Sequence, residues 1–129
     1  MITFFVEGKP QGKGRPRLSK KVVYTPQKTI EYEHRIAEAY HGECAVGSLF
    51  VEIKAFFAIP KSYTKKQKNA IRKGNLNPTK KPDADNIGKV VLDALNGIAY
   101  EDDKQVIDLR VSKQYSEERE GLRITIGEV

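Results

Sequence analysis

Residues 81–106 read Lys-Pro-Asp-Ala-Asp-Asn-Ile-Gly-Lys-Val-Val-Leu-Asp-Ala-Leu-Asn-Gly-Ile-Ala-Tyr-Glu-Asp-Asp-Lys-Gln-Val. The pattern predicts a helix over 85–96. A step of about 100° per residue collects Ile87, Val90, Val91, Ala94 and Leu95 on one face, which packs inward. Asp85 and Lys89 fall on the opposite face, Asp93 lies one further turn along, and Asn96-Gly97 supplies the stop. Leu92 projects near the Asp85 side, half exposed or at a subunit contact. Asp83 and Asp85 open the helix, and Asp102 and Asp103 close the turn that follows it. Five of the six aspartates in the chain therefore lie in this one stretch. Hard oxygen donors gathered inside basic surroundings point to a divalent metal acting on a polyanion, the layout of a metal-dependent nuclease.

Downstream, Ile107, Leu109 and Val111 alternate in one run and Leu122, Ile124 and Ile126 in another. The charged residues 116–121 between them predict a terminal antiparallel hairpin. Upstream, residues 49–59 alternate with Leu49, Val51, Ile53, Ala55, Phe57 and Ile59 on one face, a long strand against the core. Phe50 and Phe56 lie on its other face, to be covered by the helix or by another chain. Residues 63–73 read as a basic helix or helical turn stopped by Gly74, and 75–81 as a loop.

At the N-terminal side, residues 2–6 read as a strand. Residues 8–17, Gly-Lys-Pro-Gln-Gly-Lys-Gly-Arg-Pro-Arg, hold too many Gly and Pro for a helix and predict a mobile basic loop. A brief strand is expected over 21–24. Thr25-Pro26 then predicts a helix start, Thr as N-cap and Pro at the first helical position, with a stripe of Ile30, Ile36, Ala37 and Tyr40. Helices and strands interleave without a regular βαβ repeat. The expected fold is α+β, one domain over 1–129 with a mixed β-sheet packed against helices.

At 129 residues the chain is long enough to bury a real core, and no apolar run approaches the roughly 20 residues of a membrane span. No membrane partner is expected. The single cysteine, Cys44, forms no internal disulfide and has no nearby Cys or His partners, so a cytoplasmic setting is expected. Net charge is +6, but it is segregated along the chain. Residues 1–30 carry seven Lys/Arg against one Glu, and residues 61–81 carry eight with no acid. Such patches attract phosphate backbones through counterion release and long-range steering.

Each aspartate also has an ordinary structural use. Asp83 or Asp85 can cap the helix, Asp85 and Lys89 can form an exposed i,i+4 pair, and Asp102 and Asp103 can serve the turn. Taken together these uses explain poorly why Asp-x-Asp and Asp-Asp bracket one helix. Mg²⁺ takes one or two carboxylates and keeps several waters; the metal then acidifies a water and neutralises charge on the reacting phosphate. Lys89 is placed to stabilise that charge further. His34 and His41 lie around the first helix, away from this segment, which disfavours a His-metal nuclease.

The same residues resemble the signature of the RusA-type Holliday junction resolvases, small endodeoxyribonucleases common in prophages. Asp-x-Asp-Asn-x-x-Lys followed by Asp-Asp-x-Gln-Val carries the resemblance, and residues 8–17 and the closing strand pair extend it over most of the chain. It implies a RusA-like fold and a homodimer that binds a four-way DNA junction and nicks two strands symmetrically, in recombination and repair. It implies Mg²⁺, or Mn²⁺ in its place, held by Asp83, Asp85 and Asp103 with Asp102 as a further candidate. Lys89 maps onto the essential lysine, so the implied catalytic set is Asp83, Asp85, Lys89 and Asp103. Asn86, Asp93 and Gln105 match supporting positions. Lys9, Lys13, Arg15 and Arg17, with Lys65, Lys66, Lys68, Arg72, Lys73, Lys80 and Lys81, would hold the junction arms through phosphates, contacts that carry little sequence information. Two other readings use the same residues: a DNA-binding protein whose acids serve structure alone, and a nuclease preferring flaps or other branches.

Overall fold

The computed structural model describes residues 1–19 and 22–129, with Arg17 and Ser19 described by their backbone alone. In chain order the elements are β1 (Ile2–Glu7), β2 (Arg17–Ser19), β3 (Val22–Tyr24), α1 (Gln27–Ala39), β4 (Leu49–Ala58), α2 (Lys65–Arg72), α3 (Ala84–Leu95), a 3₁₀ turn (Asp103–Gln105), β5 (Val106–Ser116) and β6 (Gly121–Glu128). Four strands form one mixed sheet in the order β1-β6-β4-β5, and β2 and β3 pair separately. The arrangement is α+β, as the sequence predicts. The expected strand start at Lys21 lies outside the described residues.

β4 takes the centre because it is the longest strictly alternating apolar strand. Leu49, Val51, Ile53 and Ala55 are fully buried and Phe57 nearly so. Leu122, Ile124 and Ile126 of β6 continue the same face, and α1 and α3 close over it with Tyr32, Ile36, Ile87, Val90, Val91 and Leu95. The opposite face is half covered by the chain itself. The Phe50 ring lies where a side chain at Gly127 would stand, and Phe56 stacks on Phe5 at 6.4 Å between centroids.

The expected terminal hairpin is not formed. β6 pairs antiparallel with both β1 and β4, while β5 pairs parallel with β4 on its other side. β4 thus lies between the two strands that the sequence places side by side. Alternation tells a strand which of its faces is buried; it does not tell which strand is its neighbour. The more apolar β4 gains most from being paired on both edges and displaces the local pairing. β5 is left as an edge strand, with Ile107 61% and Leu109 42% exposed. A register irregularity between Leu49 and Phe50 leaves Ile107 without a direct partner, as in a β-bulge.

Two further expectations shift. α1 begins one residue later than predicted, with Pro26 as N-cap and no side-chain cap bond; the Pro26 carbonyl accepts from Thr29 and Ile30 N–H. Its buried residues are Thr29, Tyr32 and Ile36, not Ile30 or Ala37. The loop at residues 8–17 is docked, not free. Gly8 N–H donates to Glu120 O, Lys13 N–H to Asn86 O at 3.0 Å, and Gly14 N–H to Thr29 Oγ1 at 3.1 Å. α2 forms as expected, opened by a capping box between Thr64 and Gln67.

Candidate active site

α3 is the element that positions the acids. Ile87, Val90, Val91, Ala94 and Leu95 are buried as the helical period requires, and so is Gly88. Gly88 lets the helix lie close on the sheet, since a Cβ there would stand 3.2 Å from Leu109 Cδ2 and 3.4 Å from Val111 Cγ2. Leu92 is half-buried against the core. The helix ends at Asn96, and Gly97 at φ +79° makes the left-handed turn. With its inner half fixed, the outer half of α3 carries Asp85, Lys89 and Asp93 in a row.

Asp83 stands at the N-cap position, yet its side chain makes no cap hydrogen bond. Asp85 is exposed one residue inside the helix. Among the described residues, neither carboxylate takes part in an ion pair or a side-chain hydrogen bond. The ordinary uses foreseen for these two acids are therefore not the ones adopted. Lys89 Nζ turns instead to Asp93 Oδ2, at 3.7 Å.

Asp102 and Asp103 are divided in role. Asp102 caps the 3₁₀ turn, its Oδ1 accepting from Lys104 N–H at 2.9 Å, and this hydrogen bond holds its carboxyl below the usual range. Asp103 is tied to the end of α3 by its N–H, which donates to Asn96 Oδ1 at 2.9 Å. Burial, then the neighbouring Asp102 and Asp93 carboxylates, pushes the Asp103 carboxyl up, with Lys89 acting in the other direction. Asp103 is thus an acid crowded by acids, with Lys89 among the charges that it feels.

Gln105 pins this turn to the body. Its Oε1 accepts from the N–H groups of Glu101 and Asp102 at 3.0 and 3.1 Å, and its Nε2 donates to the carbonyls of Ala45 and Gly47, both at 3.1 Å. Tyr100, fully buried, donates its hydroxyl to Leu92 O at 2.7 Å and anchors the same turn to α3. The tie from Asn96 to Asp103 and the anchoring role of Tyr100 escape the sequence reading, because both are contacts to backbone groups several residues away.

The acids therefore fall into two sets: Asp83 and Asp85 at the start of α3, and Asp93 with Asp103 beside its second half. One helical rise of about 1.5 Å per residue puts Asp85 and Asp93 about 12 Å apart along the axis. Among the described residues of one chain, no three or more His, Cys, Asp or Glu side chains are grouped to hold an ion. The donor chemistry nonetheless suits Mg²⁺, which needs only one or two protein carboxylates and completes its shell with water.

The basic residues are likewise divided. A groove of about 940 Å³ runs along residues 9–16 and is lined also by Lys28, Lys81, Pro82, Asp83 and Asn86. Gly12 lets the loop approach this wall, since a Cβ there would meet Asn86 Cβ at 2.8 Å. Lys9, Arg15, Lys28 and Lys81 are exposed along it, Lys28 joining the basic residues expected from sequence. Lys13 is turned inward to Glu33 and Asp93. Lys65, Lys66, Lys68 and Lys73 project from α2 and its end, and Lys80 is exposed beyond it. Arg72 is engaged by Glu117, with hydrogen bonds of 2.8 and 3.2 Å. The Arg17 side chain lies outside the described residues.

Asp83 thus lines the basic groove, and the uncommitted Asp85 and then Lys89 follow it along the outer row of α3. The family model Endodeoxyribonuclease RusA matches residues 7–127, and the chain belongs to that family of endodeoxyribonucleases. An uncharacterized protein of Bacillus subtilis (strain 168), YqaN, is 42% identical over 127 residues, spanning 91% of this chain and 89% of that protein. Among the described residues, no helix is long and apolar enough to cross a membrane.

Proposed function

We propose that this protein is a Mg²⁺-dependent endonuclease that resolves four-way DNA junctions by paired symmetric nicks, acting as a homodimer in recombination and repair. Membership of the RusA family supports the substrate class. The observation that carries the reading is the placement of Asp83, uncommitted, on the wall of the groove lined by Lys9, Arg15, Lys28 and Lys81, with the equally uncommitted Asp85 two residues on along α3.

In this reading Asp83 and Asp85 would hold the ion; the family resemblance adds Asp103, which stands with Asp93 in the other set, and Asp102 is committed to its turn. When bound, the ion supplies an acidified water and neutralises charge on the reacting phosphate. The remaining chemistry belongs to the chain. Lys9, Arg15, Lys28 and Lys81 bind the phosphodiester backbone and lead it past Asp83. Lys89, one turn beyond Asp85, brings an ammonium to the reacting phosphate and stabilises its developing charge. A second copy brings a second set of these residues, and a two-fold pair matches the approximate two-fold symmetry of a four-way junction. The free edge of β5, with exposed Ile107 and Leu109, offers a surface for that copy.

The test is a substrate panel: four-way junction, flap, replication fork and linear duplex, each with Mg²⁺, with Mn²⁺ and with chelator. The reading expects metal-dependent nicking, fastest on the junction. Equal rates on flap and junction would replace resolvase by a general branched-DNA nuclease. Junction binding without nicking under any divalent ion would favour an architectural DNA-binding role.

A further inference from the structure

Lys13 belongs by sequence to the basic loop, but its side chain does not share the exposure of Lys9 and Arg15. Its Nζ lies 2.9 Å from Glu33 Oε2 on α1 and 3.1 Å from Asp93 Oδ2 on α3. The Lys13 and Glu33 side chains are each only 18% exposed. The backbone fixes the position from both sides, through Lys13 N–H on Asn86 O and Gly14 N–H on Thr29 Oγ1. Lys13 cannot swing out to a phosphate without giving up two close ion pairs in a half-buried setting, where charges attract more strongly than at an open surface.

Asp93 Oδ2 is shared. It faces Lys13 at 3.1 Å and Lys89 at 3.7 Å. Charges thus alternate from Glu33 through Lys13 and Asp93 to Lys89, from α1 across the loop to the outer row of α3. The shorter and less exposed contact is the one to Lys13, so Asp93 is held mainly from the loop side. Lys89, its side chain 63% exposed, stays loosely paired and free to reach outward. Were Lys13 neutral, Asp93 would have Lys89 as its nearest cation and would change where that ammonium stands.

We propose that Lys13 is a positioning residue: together with Glu33 it fixes Asp93, and through Asp93 it sets the placement of Lys89. The inference rests on the nuclease reading above, and it removes Lys13 from the phosphate contacts.

The experiment compares wild type, Lys13→Met, Lys13→Arg, Asp93→Asn and the Lys13→Met/Asp93→Asn double variant. Two readouts are taken on a four-way junction: single-turnover nicking at saturating enzyme with Mg²⁺, and the salt dependence of binding with chelator. A positioning role expects Lys13→Met to slow nicking about 10-fold or more, with affinity and salt slope unchanged and part of the rate restored in Lys13→Arg. It also expects the double variant to be no slower than the Asp93→Asn single variant, because both changes act on one chain of contacts. A salt slope shallower by about 0.9 in Lys13→Met, with an unchanged nicking rate, would make Lys13 a phosphate contact and overturn the proposal. Losses that multiply in the double variant would overturn it as well. If the wild type binds junctions and never nicks, the nuclease reading itself fails, whereas failure in the variants alone leaves that reading standing. Glu33→Gln serves if Lys13→Met does not fold: positioning expects slower nicking at an unchanged salt slope, and a phosphate-binding Lys13 expects a steeper slope.

Discussion

A carboxylate that neither caps a helix nor pairs with a cation keeps its charge available to a ligand, and the acids of this chain divide on that criterion. Asp83 and Asp85 are uncommitted among the described residues, whereas Asp102 is engaged by the backbone of its own turn. Asp85→Asn is therefore expected to lower nicking by about 10²-fold or more, the loss of several kcal/mol of metal-assisted stabilisation, while junction binding with chelator persists. Gln105 shows the opposite kind of residue, one that works entirely through structure. Replacing it by Ala leaves the amides of Glu101 and Asp102 and the carbonyls of Ala45 and Gly47 short of partners, and should cost about 1–3 kcal/mol in urea unfolding. Lys13 carries a pH signature. Burial lowers its amine, but Glu33 and Asp93 outweigh burial and hold it above the ordinary value of 10.5. A raised folded value means that its stabilisation is complete below the unfolded value and is lost as pH rises through the folded one. The stability gap between wild type and Lys13→Met should thus stay level from about pH 6 to 9 and narrow only above the ordinary lysine range, as read by denaturant titration at each pH.

At the scale of elements, α3 was fully legible because its apolar residues obey one period and its polar residues fill the remaining arc. The sequence could not show what Gly88 faces in so regular a helix; a side chain there would point at Leu109 and Val111, with room for a methyl after a small shift and for little more. The Leu109 tip is the far end of a half-exposed side chain and can yield by a few tenths of an ångström. Gly88→Ala should therefore gain helix propensity and stabilise the protein by about 0.5–1 kcal/mol, whereas Gly88→Leu overpacks the contact and destabilises it by about 1–3 kcal/mol, both measurable by thermal unfolding. The pairing of β5 and β6 was misread for a physical reason. Local alternation and a charged turn favour a hairpin, but the long apolar β4 gains more by pairing on both edges, and that choice depends on residues more than fifty positions upstream. In the α1 stripe Ile36 and Tyr40 are buried as expected, but the inward face also takes Thr29 and Tyr32, whose polar groups hide them from a purely apolar count, and leaves Ile30 exposed.

For the whole molecule, charge segregation was legible from counting, while its division into a groove and a separate helix was not. Lys13 counts as one basic residue in any tally, yet its partner Glu33 lies 20 positions away and turns it inward. The groove residues Lys9, Arg15, Lys28 and Lys81 should each reduce the salt slope of junction binding by about 0.9 when neutralised, and Arg72, held by Glu117, should reduce it less. The proposed homodimer belongs to this scale too, since the proposed paired nicking needs two sites facing opposing strands. The measurement that bears most directly on the central claim is strand-by-strand mapping of nicks in a synthetic mobile four-way junction with Mg²⁺, wild type beside Asp85→Asn. Paired nicks at symmetric positions on opposing strands, absent with Asp85→Asn, are the predicted result. Nicks that persist unchanged with Asp85→Asn, or that fall on single strands without symmetry, would contradict a metal-dependent resolvase built on α3.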